Sequence, residues 1–207
     1  MDKEINNNGY EYVDLGLPSG TLWATMNVGA SKPSGYGLYF QWGDTKGYAR
    51  DQVGKDKQFN WDDYKWYLSG KEDNGSLKYK KYTNPGDTLE LEDDAANKNM
   101  GGDWHMPSPE QISELINNTT SEWTSMDGVD GRLFTSKKDV SKSIFIPIAG
   151  YAWDDIVGYN GLYGYIWSSM LSPEDVNYGQ YFSFDLGYVY LYDYKRYYGR
   201  SIRGVIG

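Results

Sequence analysis

Short β-rich runs separated by glycine are the feature of this sequence that most restricts its fold. Twenty-five glycines are distributed over 207 residues, and runs of aromatic and β-branched residues recur between them. Runs of this length bounded by turn residues are typical of short strands in a mostly β protein. The sequence therefore predicts small twisted antiparallel sheets joined by long loops, with the clearest strands in residues 20–30, 36–44, 143–151 and 179–192.

Two short helices are predicted to interrupt the strands, which makes the fold class α+β. The first covers roughly residues 92–100 and ends at a glycine pair. The second follows Ser108, a good N-cap, with Pro109 at the first helical position and Gln111 completing a capping box. Residues 45–88 show little periodicity and are predicted to form long loops with at most one strand.

Composition excludes several classes of function. The formal net charge of -9 repels phosphate groups, so neither nucleic acid nor an anionic membrane is an expected partner. Without cysteine the chain has no disulfide, thiolate nucleophile or thiolate metal ligand. No apolar run is long enough for a membrane span, and we expect no direct membrane insertion. The start of the chain lacks signal-peptide features, so any export segment is expected to lie outside this sequence.

The domain organisation predicted from the sequence is simple. Residues 1–9 read as a polar leader, and no linker or fixed-period repeat follows them. Residues 10–207 are therefore predicted to form a single domain, whose oligomeric state the sequence leaves open.

An alternating pattern near the C-terminus predicts a hairpin with two different faces. In a strand, neighbouring side chains point to opposite sides of the sheet. If Leu186 and Gly187 form a two-residue turn, with glycine supplying any positive φ, one face pairs Asp185 with Tyr188, Ser183 with Tyr190 and Tyr181 with Tyr192. The other face is apolar and carries Phe182, Phe184, Val189 and Leu191. We expect the apolar face to join the core and the tyrosine face to point outwards.

Tyrosine is concentrated in this part of the chain. Twelve of the 21 tyrosines lie in residues 151–207, among Asn, Asp, Gly and Ser. Tyrosine offers a large amphipathic surface with few rotors, and the small polar residues adapt to a ligand, as in evolved binding loops. The alternative is that tyrosine is there for its β propensity and packing. The predicted ligand-binding residues are Tyr159, Asn160, Tyr163, Asn177, Tyr178, Tyr181, Ser183, Asp185, Tyr188, Tyr190, Tyr192, Tyr194, Tyr197 and Tyr198.

Five motifs, in order along the chain, resemble a known family. They are YVDLGLPSGTLWATMNVGA (12–30), DDAANKNMGGDWHMPSPEQISEL (93–115), FIPIAGY (145–151), GYIWSS (164–169) and YYGRSIRGV (197–205). Together they resemble Bacteroidetes proteins of the Fibrobacter major paralogous type. Those proteins have a C-type lectin-like fold related to the formylglycine-generating enzymes. The resemblance implies a C-type lectin-like domain over nearly all of residues 10–207.

Within that group, the tyrosine-rich C-terminal segment resembles the variable region of a protein diversified by a retroelement. The resemblance implies a variable region at about residues 151–207, altered by adenine-directed mutagenesis of Asn-type codons. It further implies binding of a protein or surface-glycan ligand by a protein displayed on a cell surface, pilus or phage particle. A fixed carbohydrate-binding module or lectin, in which aromatic rings stack on sugars, is the alternative.

The resemblance does not extend to catalysis or to metal binding. The catalytic cysteines of the formylglycine-generating enzymes have no counterpart, and the Glu-Pro-Asn and Gln-Pro-Asp triplets of sugar-binding lectins are absent. We therefore expect no enzyme activity, no metal and no cofactor. The sequence also departs from the family at His105, Gly204 and Met26, where Arg, Pro and Cys are common; this single histidine is expected to form structural hydrogen bonds. A carboxylate pair for glycoside hydrolysis stays open, because the required separation is spatial, among Asp154, Asp155, Glu174, Asp175 and Asp185.

Overall fold

The computed structural model describes residues 4–5, 8–71 and 77–207, and these ranges form small antiparallel sheets with two α-helices. The expected α+β class is confirmed. The helices are α1 (Ala95–Met100) and α2 (Pro109–Asn118). The strands are β1 (Glu4–Ile5), β2 (Glu11–Asp14), β3 (Leu22–Asn27), β4 (Tyr67–Lys71), β5 (Leu77–Tyr79), β6 (Thr119–Met126), β7 (Val129–Ser136), β8 (Ser143–Pro147), β9 (Tyr151–Trp153), β10 (Ile156–Gly158), β11 (Gly164–Leu171), β12 (Tyr178–Phe184), β13 (Val189–Lys195) and β14 (Arg203–Ile206).

The first and last described strands belong to the same sheet. Its order is β1-β2-β3-β14, and β14 pairs with β3 through Val205 opposite Trp23. Two three-stranded sheets follow, β6-β7-β8 and β11-β12-β13, and the pairs β4-β5 and β9-β10 complete the set. Of the leader predicted at residues 1–9, Glu4–Ile5 forms β1, whereas residues 1–3 and 6–7 lie outside the described residues.

The core occupies both sides of these sheets. Neighbouring residues on one strand belong to different apolar clusters. Trp23 of β3 and Ile166 of β11 lie in one cluster, and the residues that follow them, Ala24 and Trp167, lie in the other. This is the alternation expected of strands buried on both faces. Four tryptophans are fully buried: Trp42, and the three that lie in the family-like motifs, Trp23, Trp104 and Trp167.

Both predicted helices are present, and their caps explain their limits. The helix predicted from about residue 92 begins later, because residues 91–93 form a 3-10 turn and Asp94 is the N-cap. Its carboxylate accepts the Asn97 N–H at 2.9 Å. In α2 the predicted capping box is confirmed: the Ser108 hydroxyl accepts the Gln111 N–H at 3.2 Å, and the Gln111 side chain accepts the Ser108 N–H at 2.9 Å.

Three stretches differ from the sequence-based expectation. Residues 36–44 form no strand; Tyr39 and Phe40 make only isolated bridges. The range 45–88 contains two paired strands, β4 and β5, rather than at most one. The hairpin β6-β7 was not predicted, although its Asp127-Gly128 turn, with φ of 53° and 77°, is a recognised hairpin signal.

Candidate ligand-binding face

The predicted C-terminal hairpin is formed by β12 and β13 in the predicted register. Ser183 pairs with Tyr190 and Tyr181 with Tyr192. The Asp185 N–H donates to the Tyr188 carbonyl oxygen at 3.0 Å and closes the turn. The alternation of side chains along the two strands was therefore assigned correctly.

The tip of the hairpin is fixed by polar contacts rather than by a positive glycine φ. Neither Leu186 nor Gly187 has a positive φ. Instead the Asp185 carboxylate accepts the N–H groups of Gly187 at 2.7 Å and Tyr188 at 2.8 Å. From β7, the Arg132 guanidinium donates to the Leu186 carbonyl oxygen at 3.1 Å. The Asp185 carboxylate thus holds the turn, which is a structural role.

The apolar side of the hairpin packs against the core, as expected. Phe182 and Phe184 are fully buried, and Val189 and Leu191 are half-buried against the same cluster. That cluster includes residues of α2 and β7, and the ring centroids of Phe134 and Phe182 are 5.4 Å apart. Burial of this side fixes which way β13 presents its other side chains.

A row of four tyrosines is exposed along the outer strand and its turn. Tyr188, Tyr190, Tyr192 and Tyr194, here called the tyrosine row, expose 72%, 37%, 59% and 37% of their surface. The rings of Tyr190 and Tyr192 touch edge to face, with 6.0 Å between their centroids. These residues match the predicted outward face.

The prediction that the polar side of the hairpin points outwards is wrong for Tyr181 and Ser183, which are buried. Tyr197 and Tyr198, which were predicted to bind the ligand, are buried as well. β12 is the central strand of its sheet, so Ser183 lies between Tyr165 of β11 and Tyr190 of β13. The segment after β13 folds back over this side and brings Arg200 within 3.9 Å of the Tyr181 ring centroid. Alternation places a side chain on a face, but it does not reveal which distant segment covers that face.

The covering side chain, Arg200, lies in a cage of aromatic rings that the sequence did not indicate. Arg200 is 2% exposed, and its Nε and Nη1 atoms have no hydrogen-bond partner among the described residues. Burial lowers the pKa of its guanidinium, and the neighbouring tyrosines partly oppose that shift. The guanidinium carbon lies 3.9 to 5.8 Å from five ring centroids, those of Tyr181, Trp167, Tyr165, Tyr198 and Tyr151. The π faces of these rings stabilise the buried charge.

A second group of rings extends the exposed surface from the hairpin. Tyr159, which is exposed, stacks on Tyr151 with centroids 5.6 Å apart, and Tyr151 stacks on Tyr198 at 5.2 Å. Tyr198 in turn contacts Tyr194 of the tyrosine row at 5.2 Å. Trp153, exposed and 6.4 Å from Tyr198, belongs to the same surface but was not predicted. We call the tyrosine row together with Tyr159 and Trp153 the aromatic face.

The remaining predicted residues lie at the edges of this face. Tyr163 and Asn160 are half-buried in the loop before β11; with its amide oxygen turned inward, Asn160 accepts from Arg50 at 3.1 Å. Tyr178 is half-buried and stacks on Tyr194 at 5.7 Å. Asn177 accepts the Tyr79 hydroxyl at 2.7 Å, which holds it in place.

Among the described residues, one group of carboxylates is close enough to share a metal ion, and it lies outside the aromatic face: Glu90, Glu92 and Asp93. The Lys81 ammonium contacts all three at 2.6 to 3.0 Å, and Lys65 adds a contact with Asp93 at 3.3 Å. Two lysines therefore already neutralise most of the charge of these three carboxylates.

Three comparisons with known proteins found no match: a scan against protein-family models, a search of curated proteins and a search of solved structures. In the described part of the chain, neither helix has the length and apolar character needed to cross a bilayer.

Proposed function

We propose that this chain is a non-catalytic recognition protein that binds a protein or surface-glycan ligand through its aromatic face. The observation that carries the proposal is the tyrosine row, which is exposed on a strand whose opposite side is held in the core. Exposed rings with hydroxyl tips combine apolar contact with hydrogen bonding, and such residues dominate binding energy at interfaces.

The rigidity of the face supports the same proposal. The hairpin turn is held by Asp185 and Arg132, and the rings beneath the tyrosine row are packed around Arg200. A surface that is already ordered loses little conformational entropy when a ligand binds. The aromatic face therefore has the preorganisation expected of a binding site.

We further propose that the fold is C-type lectin-like and that residues 151–207 are a variable region diversified by a retroelement. Support comes from the five family-like motifs and from the position of the aromatic face inside this range. Display on a cell surface or phage particle follows from the same resemblance. Genomic DNA tests the idea: we expect a nearby reverse transcriptase gene and a near-copy of the C-terminal coding segment that differs only at adenines.

A fixed carbohydrate-binding module is the second candidate, and the exposed rings of Trp153 and Tyr159 favour it. Aromatic rings at such positions can stack on sugar faces. The absence of both the reverse transcriptase gene and the near-copy from the surrounding DNA would support this candidate over a diversified protein.

The proposal includes no catalytic step; two of the five acids considered for glycoside hydrolysis, and the single histidine, have structural partners. The Asp175 carboxylate accepts the Asn177 N–H at 2.8 Å, and Asp185 holds its turn. Both ring nitrogens of His105 face backbone carbonyl oxygens, at 2.9 and 3.1 Å. This supports the structural role expected for His105.

The central test replaces Tyr188, Tyr190 and Tyr192 together by Ser. Binding should be measured with two probes, a displayed library of linear peptides and a printed glycan array. Loss of each anchoring ring commonly costs about 2 kcal/mol or more, so we expect every ligand selected on the wild-type chain to be lost. Stability should change little, by about 0.5 kcal/mol or less per site.

Tyr10→Ser is the matched control, because Tyr10 has the same 37% exposure as Tyr190 but lies next to β2, in another sheet. Ligands should bind this variant as they bind the wild type. If the triple variant keeps its ligands, the aromatic face is not the binding site and the proposal is wrong.

A further inference from the structure

The outer edge of β13 has backbone groups that no residue in the described ranges pairs with. β13 is the last strand of the β11-β12-β13 sheet, so it has one neighbouring strand. The Asp185 N–H bonds to Tyr188 at one end of the hairpin, and the Arg196 N–H bonds to the Asn177 carbonyl oxygen at 3.0 Å at the other. Since hydrogen-bonded and non-bonded pairs alternate along an antiparallel ladder, the even-numbered residues of β13 face β12.

The odd-numbered residues Val189, Leu191 and Asp193 therefore direct their backbone N–H and C=O groups away from the sheet. No described residue forms a hydrogen bond with these groups. The other edge of the same sheet is different: on β11, Trp167 donates to Ser201 at 3.1 Å and Leu171 donates to Asp87 at 2.9 Å. One edge of the sheet is thus covered by the chain and the other is open.

The open edge has few of the features that usually block strand addition. Natural edge strands are protected by proline, bulges, inward-pointing charges or short length. β13 has seven residues, contains no proline or glycine, and pairs with β12 without a bulge. Its charged residues are Lys195, at the last position, and Asp193, on the same side of the strand as Val189 and Leu191. A ligand with a basic side chain would neutralise Asp193, and the tyrosine row lies directly beside this open edge.

An open pocket of about 250 Å³ lies beside the edge and is rich in acceptors. It is lined by Glu174, Asp193 and Gln180, with Leu191 and Tyr192. Neither carboxylate forms an ion pair with a described residue, and the buried Gln180 amide oxygen has no hydrogen-bond partner among them. A lysine or arginine side chain in the pocket would pair with the two carboxylates.

We propose that the ligand is an extended, lysine- or arginine-containing segment of a protein that adds as a strand to β13. The inference rests on the proposed function and narrows it. In an added strand, side chains on one side would contact the tyrosine row, and a basic side chain on the other side would enter the pocket. The backbone amides of the ligand would pair with those of Val189, Leu191 and Asp193.

Charge and chemistry argue against the two other occupants. A second copy of the chain would bring another net charge of -9 to an edge that already carries Glu174 and Asp193, and like charges oppose this pairing. A glycan has no regular row of amide groups with which to complete the backbone ladder. A basic protein segment satisfies both the ladder and the pocket.

The test begins with linear 12-residue peptides selected from a displayed random library on the full chain. Selected peptides should be enriched in Lys or Arg within alternating sequences. Synthetic copies are then N-methylated at single amides, which removes one backbone donor each. Methylation of the alternate amides that point towards β13 should weaken binding about tenfold, which corresponds to the loss of one hydrogen bond of about 1.4 kcal/mol. Methylation of the intervening amides, which point away from β13, should weaken binding less.

Two variants of the chain report on the edge and the pocket. Asp193→Pro and Asp193→Asn both remove the charge, but only proline removes the outward N–H, and proline is tolerated at an edge that faces solvent. Asp193→Pro should therefore bind the peptides about tenfold more weakly than Asp193→Asn. Glu174→Gln should weaken the binding of peptides that have a central Lys. It should not change the binding of the same peptides with that Lys replaced by Gln.

Several results would overturn strand addition. Strand addition is wrong if no linear peptide is selected, or if N-methylation weakens binding equally at every amide. It is also wrong if the two Asp193 variants bind the peptides equally. Self-association in sedimentation that Asp193→Pro abolishes would show that a second copy of the chain occupies the edge instead. If glycans alone bind, and binding is lost in the triple tyrosine variant, the proposed function stands and this inference fails. If the triple tyrosine variant binds the selected peptides as the wild type does, the aromatic face is not the binding site and the proposed function is itself wrong.

Discussion

Two buried arginines near the C-terminus are held in different ways. Arg203 donates to Asn27, Ala24 and Phe145 at 2.9, 3.0 and 3.1 Å and so joins three segments of backbone and side chain. Arg200 instead contacts aromatic rings, and two of its nitrogens have no partner in the described chain. Hydrogen bonds hold the first charge, whereas ring faces hold the second.

This difference predicts unequal effects of replacing each arginine by Met. Arg200→Met keeps most of the packing and removes a buried charge that has no carboxylate partner among the described residues, so the loss of stability should be at most about 1.5 kcal/mol. Arg203→Met leaves three buried acceptors unsatisfied, at about 1–3 kcal/mol each, and should cost at least about 3 kcal/mol. Urea unfolding of both variants measures the difference. Equal losses would show that Arg200 makes a polar contact that the ring distances do not reveal.

At the scale of single residues, the sequence predicted orientation better than exposure. Tyr190 and Phe182 lie on the sides assigned to them, because the two-residue period is a property of any extended chain. Tyr181 has the predicted orientation yet is buried, because Arg200 and its neighbours cover it. That cover is a contact between segments distant in sequence, and no local pattern encodes it. Trp153 was missed for the same reason, since its neighbour Tyr198 lies 45 residues along the chain.

At the scale of the element, the β12-β13 hairpin separates folding from recognition. Its apolar side contributes Phe182 and Phe184 to the core, and its other side presents the tyrosine row. A Cβ added at Gly164 would lie 1.9 Å from the Phe184 ring, so β11 approaches this ring closely. Substitutions on the two sides should therefore affect different properties.

Phe184→Ala should destabilise the protein by about 3–5 kcal/mol, because it opens a cavity under the sheet. Tyr188→Ser, on the exposed side, should change stability by about 0.5 kcal/mol or less. Chemical denaturation of the two variants checks the assignment. If Tyr188→Ser unfolds the chain and Phe184→Ala does not, the two sides are reversed and the tyrosines are packing residues.

Element boundaries were predictable where local chemistry sets them. The capping box of α2 could be read directly, because all its partners lie within three residues of Ser108. The start of α1 was placed too early, since acidic residues are common in a first helical turn and Asp94 was not recognised as the cap. The β6-β7 hairpin was missed despite a local signal at Asp127 and Gly128. An Asp-Gly turn is a local signal, so the sequence alone contains the information needed to predict this hairpin.

At the scale of the whole molecule, buried tyrosines link stability to alkaline pH. Burial raises the pKa of Tyr64 to about 12, although the nearby Arg196 charge partly opposes the shift. Burial also raises the pKa of Tyr82 to about 12. In the unfolded chain both hydroxyls would ionise near pH 10. The unfolded state therefore loses protons first, and the folded state is disfavoured as the pH rises.

The free energy of unfolding should consequently be constant below about pH 9, as far as these two groups determine it, and fall between about pH 10 and pH 12. Each such tyrosine contributes a slope of up to about 1.4 kcal/mol per pH unit in that window. Tyrosinate absorbance and far-ultraviolet circular dichroism, followed together, measure ionisation and unfolding.

Tyr64→Phe isolates one contribution to this slope. The variant loses the hydrogen bonds from the Tyr64 hydroxyl to the Trp42 carbonyl oxygen at 2.8 Å and from Arg196 at 2.7 Å, so it should be less stable at neutral pH. Its stability should nevertheless decline less steeply between about pH 10 and pH 12, because one ionising group is gone. The two effects have different pH dependence, which separates lost hydrogen bonding from lost titration. An unchanged slope would mean that Tyr64 ionises equally readily in the folded and unfolded states, which contradicts its burial against Trp42 and Arg196.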